Sequence, residues 1–305
     1  LKRLRDALAS RDEVLAGIRG SAVVHGGGSN GLTAPNGVAE EEVMRRALRD
    51  GAVAPAEVSY VEAHATGTLL GDAVELEAIA NVYGDRERTL HLGCVKTNLG
   101  HAEGAAGMAG VIKTVMATRR GAIPPTLHYT KPNPHADLTR GRCDVPATLT
   151  PWDGARMAGV SAFGMNGTNA HVVLAEGPSV VRNEHGDREE LLVLSAKSRT
   201  ALVALAKRYA AALDTVPLPD LCFTAAVGRT HFAHRLAIVA NDADEMRAAL
   251  DAFDAHYAQT VETEERVRVS RHELCDAVRA FLRGATIDCE ELYREDDVRR
   301  VALPT

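Results

Sequence analysis

The sequence predicts an α/β layered fold. Three observations carry this: short apolar runs that close in glycine or another small residue, amphipathic stretches between them, and turn-forming residues at the junctions. With 305 residues and 46% hydrophobic content, the chain can bury a full core, and two domains are expected.

The elements follow in order. Leu1, Leu4, Leu8, Val14 and Ile18 are roughly helix-spaced, predicting an opening helix entered partway, and a start at Leu1 instead of Met reads as a fragment. Ser21 to Val24 is predicted as a strand, followed by a loop, His25 to Gly31. Its triple glycine beside a histidine fits a flexible turn better than a phosphate cradle, because no P-loop lysine and Ser/Thr pair follows. Ala39 to Asp50 is amphipathic, with Val43, Met44, Ala47 and Leu48 on one face and a stop at Asp50-Gly51. Val58 to Ala63 is a strand, and Asp72 is placed to cap a helix from Ala73 to Val82 with Glu75 as its third residue. Leu90 to Val95 is the next strand. The helix from Ala105 to Thr118 is apolar on nearly all sides until Lys113 and should be buried and closely packed.

A proline-rich surface traverse covers Ala122 to Pro134. Strands at Arg156 to Phe163 and Ala170 to Ala175 are joined by a segment whose Asn166-Gly167 step signals a hairpin, which brings Phe163, Asn169 and His171 together. His171 fits either a catalytic role or a hydrogen-bonded place on the strand. From Pro178 the chain turns polar, giving a domain over 1–178, a linker over 179–190, a small α/β unit over 191–260 and a last segment over 261–305. The small unit reads as strand Leu191 to Ser195, helices Thr200 to Leu213 and Leu221 to Val227, strand Arg235 to Ala240 and helix Asp244 to Phe253. It clusters no glycine, histidine or cysteine, so a structural role is its default. A further helix is predicted from Arg271 to Arg283.

A net charge of −6 with interspersed signs gives no reason to expect nucleic acid or an anionic membrane as partner. No apolar run reaches about 18 residues and no signal peptide is seen, so a cytoplasmic protein is expected. Five scattered cysteines without a CxxC pair argue against a disulfide framework and against zinc.

The chemistry concentrates between His64 and Gly107. His64 follows a strand and precedes Ala65-Thr66-Gly67-Thr68; His101 follows Lys96-Thr97-Asn98-Leu99-Gly100 and opens onto a Gly/Ala-rich helix. Small residues around each ring let a substrate approach, and two such sites suggest one pocket. Two neutral imidazoles donating through Nε2 can hold a carbonyl oxygen and stabilise charge developing on it. Thr66 and Thr68 are placed to bond the amides of an extended substrate arm, and Lys96 and Glu103 to set protonation and orientation of the rings. A nucleophile is missing: Cys94 reads as a core thiol, and no serine or cysteine sits at a glycine-flanked elbow.

These residues resemble a family. Glu62-Ala63-His64-Ala65-Thr66-Gly67-Thr68 with Gly71-Asp72, Val95 to Gly107 and Gly159 to His171, together with Ser29 to Gly37, are similar to the C-terminal half of a ketosynthase from modular polyketide synthases. The resemblance implies a thiolase-like layered fold, with a mixed sheet covered by helices. It also implies that Leu191 to Phe253 is the α/β linker domain that follows a ketosynthase, and that Phe281 to Thr305 is the segment that wraps back onto it. No Gly-His-Ser-x-Gly elbow lies between them, which favours a trans-acting acyltransferase.

The implied reaction is a decarboxylative Claisen condensation between an acyl thioester held on a cysteine and a malonyl unit on an acyl carrier protein, with phosphopantetheine as the carrier's arm and no cofactor bound covalently. His64 and His101 would polarise the malonyl thioester with Lys96, Glu103 and Asn98 in support. Thr66, Thr68 and Asn169 would contact the pantetheine, and Phe163 would gate the pocket. The nucleophilic cysteine is expected from an N-terminal half outside these residues, and a homodimer is implied. The pattern departs at Ala65, where the motif usually has glycine. A non-elongating ketosynthase that transfers chains or serves for docking is the alternative, less favoured because His64 is present.

Overall fold

A computed structural model describes residues 1–28, 35–178, 188–253, 259–260, 266–268, 274–288, 292–293 and 297–305. The chain divides into two compact units: Val14–Ser179, and Leu1–Glu13 together with Val180–Thr305.

The first unit is built on a six-stranded mixed sheet. In chain order it runs β1 (Ala16–His25), α2 (Gly37–Asp50), β2 (Tyr60–Glu62), α3 (Leu69–Tyr83), β3 (Leu90–Gly93), the single turn α4 (Lys96–Leu99), α5 (Ala106–Arg120), β4 (Ala122–Ile123), β5 (Cys143–Asp144), β6 (Thr150–Pro151), β7 (Met157–Phe163) and β8 (Thr168–Glu176); the six-residue α1 (Leu4–Ala9) belongs to the other unit. The strand order is β1-β8-β7-β2-β3-β5. The β1/β8 and β7/β8 pairs are antiparallel, whereas β2 runs parallel to both β7 and β3. The mixed sheet covered by helices is the expected fold.

Alternation along β2 sorts its side chains. Val61 joins the core formed by Val43, Met44 and Ala47 of α2 and Ala78, Ile79 and Tyr83 of α3. Tyr60 points the other way and packs with Ala117 of α5, Trp152 and Ala158. The helix starts are capped by short polar side chains: Asn36 Oδ1 accepts the amide of Ala39, and Thr68 Oγ1 accepts that of Gly71. Helix α5 ends on Gly121 at φ 60°, a left-handed position that suits glycine.

Several expectations are corrected. The helical reading of Val14 and Ile18 fails: only Leu4–Ala9 is helical, and Ile18 lies in β1, which pairs with β8 from Ala16 to His25. Cross-strand hydrogen bonding over that length outweighs the weak helical spacing of a few apolar residues. Asp72 is not the cap of α3; the helix starts four residues before Ala73 with Thr68 as cap, and Asp72 Oδ1 instead accepts the amide of Gly67 at 3.0 Å.

The second unit holds β9 (Glu190–Ala196), α6 (Arg199–Ala212), α7 (Leu218–Val227), β10 (His234–Ala240), α8 (Ala243–Asp251), β11 (Gln259–Thr260), β12 (Arg266–Arg268), α9 (Leu274–Leu282) and β13 (Thr286–Asp288). Glu190 opens β9, so the expected linker over 179–190 is shorter by that residue, and its residues 179–187 lie outside the described ones. The expected partition at 191–260 and 261–305 differs from the structure. Leu274, Phe281, Tyr293 and Leu303 are buried in the same core as Leu191, Tyr209 and Leu221. The opening segment joins them through main-chain bonds between Arg300 N and Arg11 O, 2.7 Å, and Glu13 N and Arg300 O, 3.2 Å.

Candidate active site

Strand β2 delivers His64, and the turn after β3 delivers Lys96 and His101. Because β2 and β3 are parallel neighbours, their C-terminal ends lie side by side, the usual place for a site in an α/β sheet. The rings of His64 and His101 meet edge to face with centroids 5.6 Å apart, and the Phe163 ring lies 5.6 Å from His64 on a third side. The two histidine rings expected to share a pocket thus lie against each other.

One tautomer of each ring satisfies the hydrogen bonds around it. Lys96 Nζ stands 3.5 Å from His64 Nδ1 and donates to the carbonyl oxygen of His64. An ammonium facing Nδ1 requires a lone pair there, which leaves the proton on Nε2. The Glu103 amide donates to His101 Nδ1 at 3.1 Å, with the same consequence. Both rings therefore present an Nε2–H. Burial, then Lys96, then His101 lower the His64 pKa to about 4, so this imidazole is neutral at pH 7.

The turn at His64 is held from below by Glu75 of α3. Its two carboxylate oxygens accept the amides of His64 and Ala65, each at 2.7 Å. Ala65 adopts φ 32°, which an L side chain rarely takes. Burial raises the Glu75 carboxyl to about 7 against the lowering effect of those two amides. Glu40 of α2, also buried, is raised to about 8 by burial and by Glu75.

Other predicted residues fall as follows. Glu103 acts through its main chain: its side chain is exposed and no described contact joins its carboxylate to either ring, while its φ of 45° aims its amide at His101. Thr68 caps α3, and Thr66 is exposed beside it. Asn98 is exposed, with its Oδ1 3.4 Å from Thr97 Oγ1. Asn169 is buried in β8, paired with Phe163 on one side and Val24 on the other. Cys94 is buried, donates to Ala65 O at 3.3 Å, and has its thiol pKa raised chiefly by burial, the behaviour of a core thiol.

His171 is structural in its bonding: Tyr83 Oη lies 2.9 Å from its Nε2 and Ser161 Oγ 3.0 Å from its Nδ1, and burial drives its pKa to about 3. In the glycine loop, the Gly27 amide donates to His25 Nδ1 at 3.1 Å; residues 29–34, including much of the Ser29 to Gly37 motif, lie outside the described ones. Sequence reasoning missed the roles of Glu62 and Glu75. Glu75 had a signal, a buried-type acid eleven residues after His64 at helical spacing from Asp72, but its partners are set only by the tertiary fold.

Residues 15–130 match the family model Beta-ketoacyl synthase, C-terminal domain. This match and the fold shared with solved ketosynthases together identify a C-terminal ketosynthase domain with a thiolase-like fold. Residues 190–250 match the model CurL-like, PKS C-terminal, and the domain is of the kind found in modular polyketide synthases. The chain is 45% identical over 261 residues to erythronolide synthase EryA2 of Saccharopolyspora erythraea, covering 83% of this chain and 7% of that protein. It is 44% identical over 266 residues to polyketide synthase GfsA of Streptomyces halstedii, covering 83% of this chain and 4% of that protein. Among solved structures it is similar to the ketosynthase from module 6 of the bacillaene synthase of Bacillus subtilis 168, with TM-score 0.85 and 32% identity, covering 100% of this chain and 58% of the other. It is also similar to an oxazolomycin ketosynthase domain of Streptomyces albus JA3453, with TM-score 0.82 and 32% identity, over 99% of this chain and 54% of the other. The chain thus spans a little over half of these solved ketosynthases and a small part of the curated relatives. Among the described residues no helix is long and apolar enough to cross a membrane.

Proposed function

We propose that this chain supplies the decarboxylating half of an elongating ketosynthase. The observation that carries the reading is the His64–His101 pair, 5.6 Å between centroids with an Nε2–H on each ring. Two such donors suit the thioester oxygen of a malonyl unit. As its C–C bond to carbon dioxide breaks, the electron pair becomes an enolate whose charge on oxygen the donors stabilise. The enolate carbon then attacks an acyl thioester on a cysteine; the new C–C bond forms and the cysteine leaves as thiolate. That cysteine comes from the part of the ketosynthase this chain does not cover.

The malonyl unit arrives on the phosphopantetheine arm of an acyl carrier protein, with Thr66, Thr68 and Asn169 toward the arm, Asn98 and Lys96 in support of the rings, and Phe163 as gate. The exposed apolar side chains of Leu99, Met108 and Ile112 near the His101 turn support a covering partner, the N-terminal half. A homodimer through the ketosynthase, extender supply by a trans-acting acyltransferase and a cytoplasmic location belong to the same proposal. The acyltransferase assignment rests on the lack of a Gly-His-Ser-x-Gly sequence between the linker domain and the last segment.

The test combines this chain with the half that carries the cysteine and follows carbon dioxide release and chain elongation by mass spectrometry. Elongation is expected from the pair and not from this chain alone. His64→Ala separates elongation from transfer or docking: loss of decarboxylation supports the first, and indifference the second.

A further inference from the structure

Beneath the two histidines lies a buried charged cluster that the mechanism does not use. Glu62, at the end of β2, has its side chain on the α5 face with that of Tyr60, as strand alternation requires. Its Oε1 accepts the amide of Val95 at 2.5 Å, and its Oε2 accepts the Tyr60 hydroxyl at 2.5 Å. Lys113 Nζ of α5 lies 2.9 Å from the same Oε2, an ion pair without hydrogen-bond alignment. The side chains are 2% and 10% exposed for Glu62 and Lys113, so both charges are held out of water.

Space for the cluster comes from two missing side chains. A Cβ at Gly93 would stand 2.1 Å from Tyr60 Oη and 3.0 Å from Lys113 Nζ. One at Gly110 would stand 3.1 Å from Glu62 Cγ.

The placement matters more than the pairing. Glu62 precedes His64 by two residues, and Val95, whose amide Glu62 grips, immediately precedes Lys96. One carboxylate thus ties the strand that carries His64 to the turn that carries Lys96, and Lys96 in turn touches the His64 carbonyl and faces Nδ1. A buried ion pair is weak as a source of stability, since well-packed apolar residues of similar volume often serve as well. What a carboxylate adds is directional acceptance from the Val95 amide and the Tyr60 hydroxyl while its charge is matched by Lys113, which sets one distance between the two segments.

We propose that Glu62, locked by Lys113 and Tyr60, is a positioning residue that fixes Lys96 against His64 and so sets the His64 ring for decarboxylation. This rests on the function proposed above. His64 is also faced by His101 and Phe163, and its amide is held by Glu75; none of these depends on Glu62 for its contact.

The experiment uses the complete ketosynthase, this chain joined to its cysteine-bearing half, with malonyl acyl carrier protein as substrate. Glu62→Gln keeps the shape but loses the charge and one of the two acceptor oxygens, and Glu62→Gln with Lys113→Met keeps the fold free of a buried unpaired charge. Both variants are expected to lower kcat for decarboxylation by about 10- to 100-fold, the scale of a misplaced group, with KM little changed. In both, the His64 titration followed by histidine NMR should move upward from about 4, because the lowering influence of Lys96 is released. An unchanged His64 titration overturns the proposal even if kcat falls, since a purely structural ion pair would lower stability without moving that ring. If the unsubstituted protein releases no carbon dioxide, the functional reading fails, and the titration still decides whether Glu62 positions Lys96.

Discussion

Glu75 holds the turn of His64 by its main chain, accepting the His64 amide at 2.7 Å from a helix whose own N-terminus is capped by Thr68. The imidazole is therefore aimed by a carboxylate that never touches it. Glu75→Ala would leave the amides of His64 and Ala65 buried without acceptors. We expect a loss of about 2–4 kcal/mol of stability, read from urea denaturation, together with slower decarboxylation.

Ala65 sits at φ 32°, where the related motif usually has glycine. Left-handed backbone costs an L residue roughly 1–2 kcal/mol, and a glycine loses about 0.5–1 kcal/mol through the entropy of the unfolded chain. The first effect is larger. Ala65→Gly should stabilise the protein by about 0.5–1 kcal/mol, and a lower midpoint in a urea titration would contradict the strain assigned to this residue.

His64 is the ring whose protonation sets the acid side of the reaction. Its folded pKa of about 4 lies below the usual 6.5, so the neutral donor persists well into acid. The His64 limb of the decarboxylation pH profile should therefore lie near pH 4, separate from any change near pH 7 where Glu75 titrates. A His64 titration centred near 6.5 by histidine NMR would show that Lys96 and burial do not govern the ring.

Glu40 and Glu75 tilt stability the other way. Their folded pKa values, about 8 and about 7, lie above the unfolded 4.5, so the native state binds the extra protons. Stability contributed by these carboxyls is full below about pH 4.5 and is lost as pH rises through 7 to 8. Glu40→Gln should remove much of that loss, raising stability at pH 9 by on the order of 2 kcal/mol while changing little at pH 5. Denaturant midpoints across that pH range measure it.

Local pattern determined a good part of this molecule. The helix of Val43 and Leu48, the Asn166-Gly167 hairpin and the two strands that end at His64 and Lys96 are visible in sequence because periodicity and turn chemistry act over a few residues. The motif residues around His64 and His101 likewise announce a shared site and the ketosynthase resemblance. Tertiary structure alone decided what holds that site. Glu62 reaches Val95 across 33 positions, and Glu75 reaches His64 across 11, because neighbouring strands and a crossing helix bring them together. It also turned Glu103 from a charged support into a main-chain donor and placed the opening helix in the second unit with Arg300. Those outcomes depend on which buried polar group finds which partner, and burial is a property of the packed chain, not of any short stretch of it.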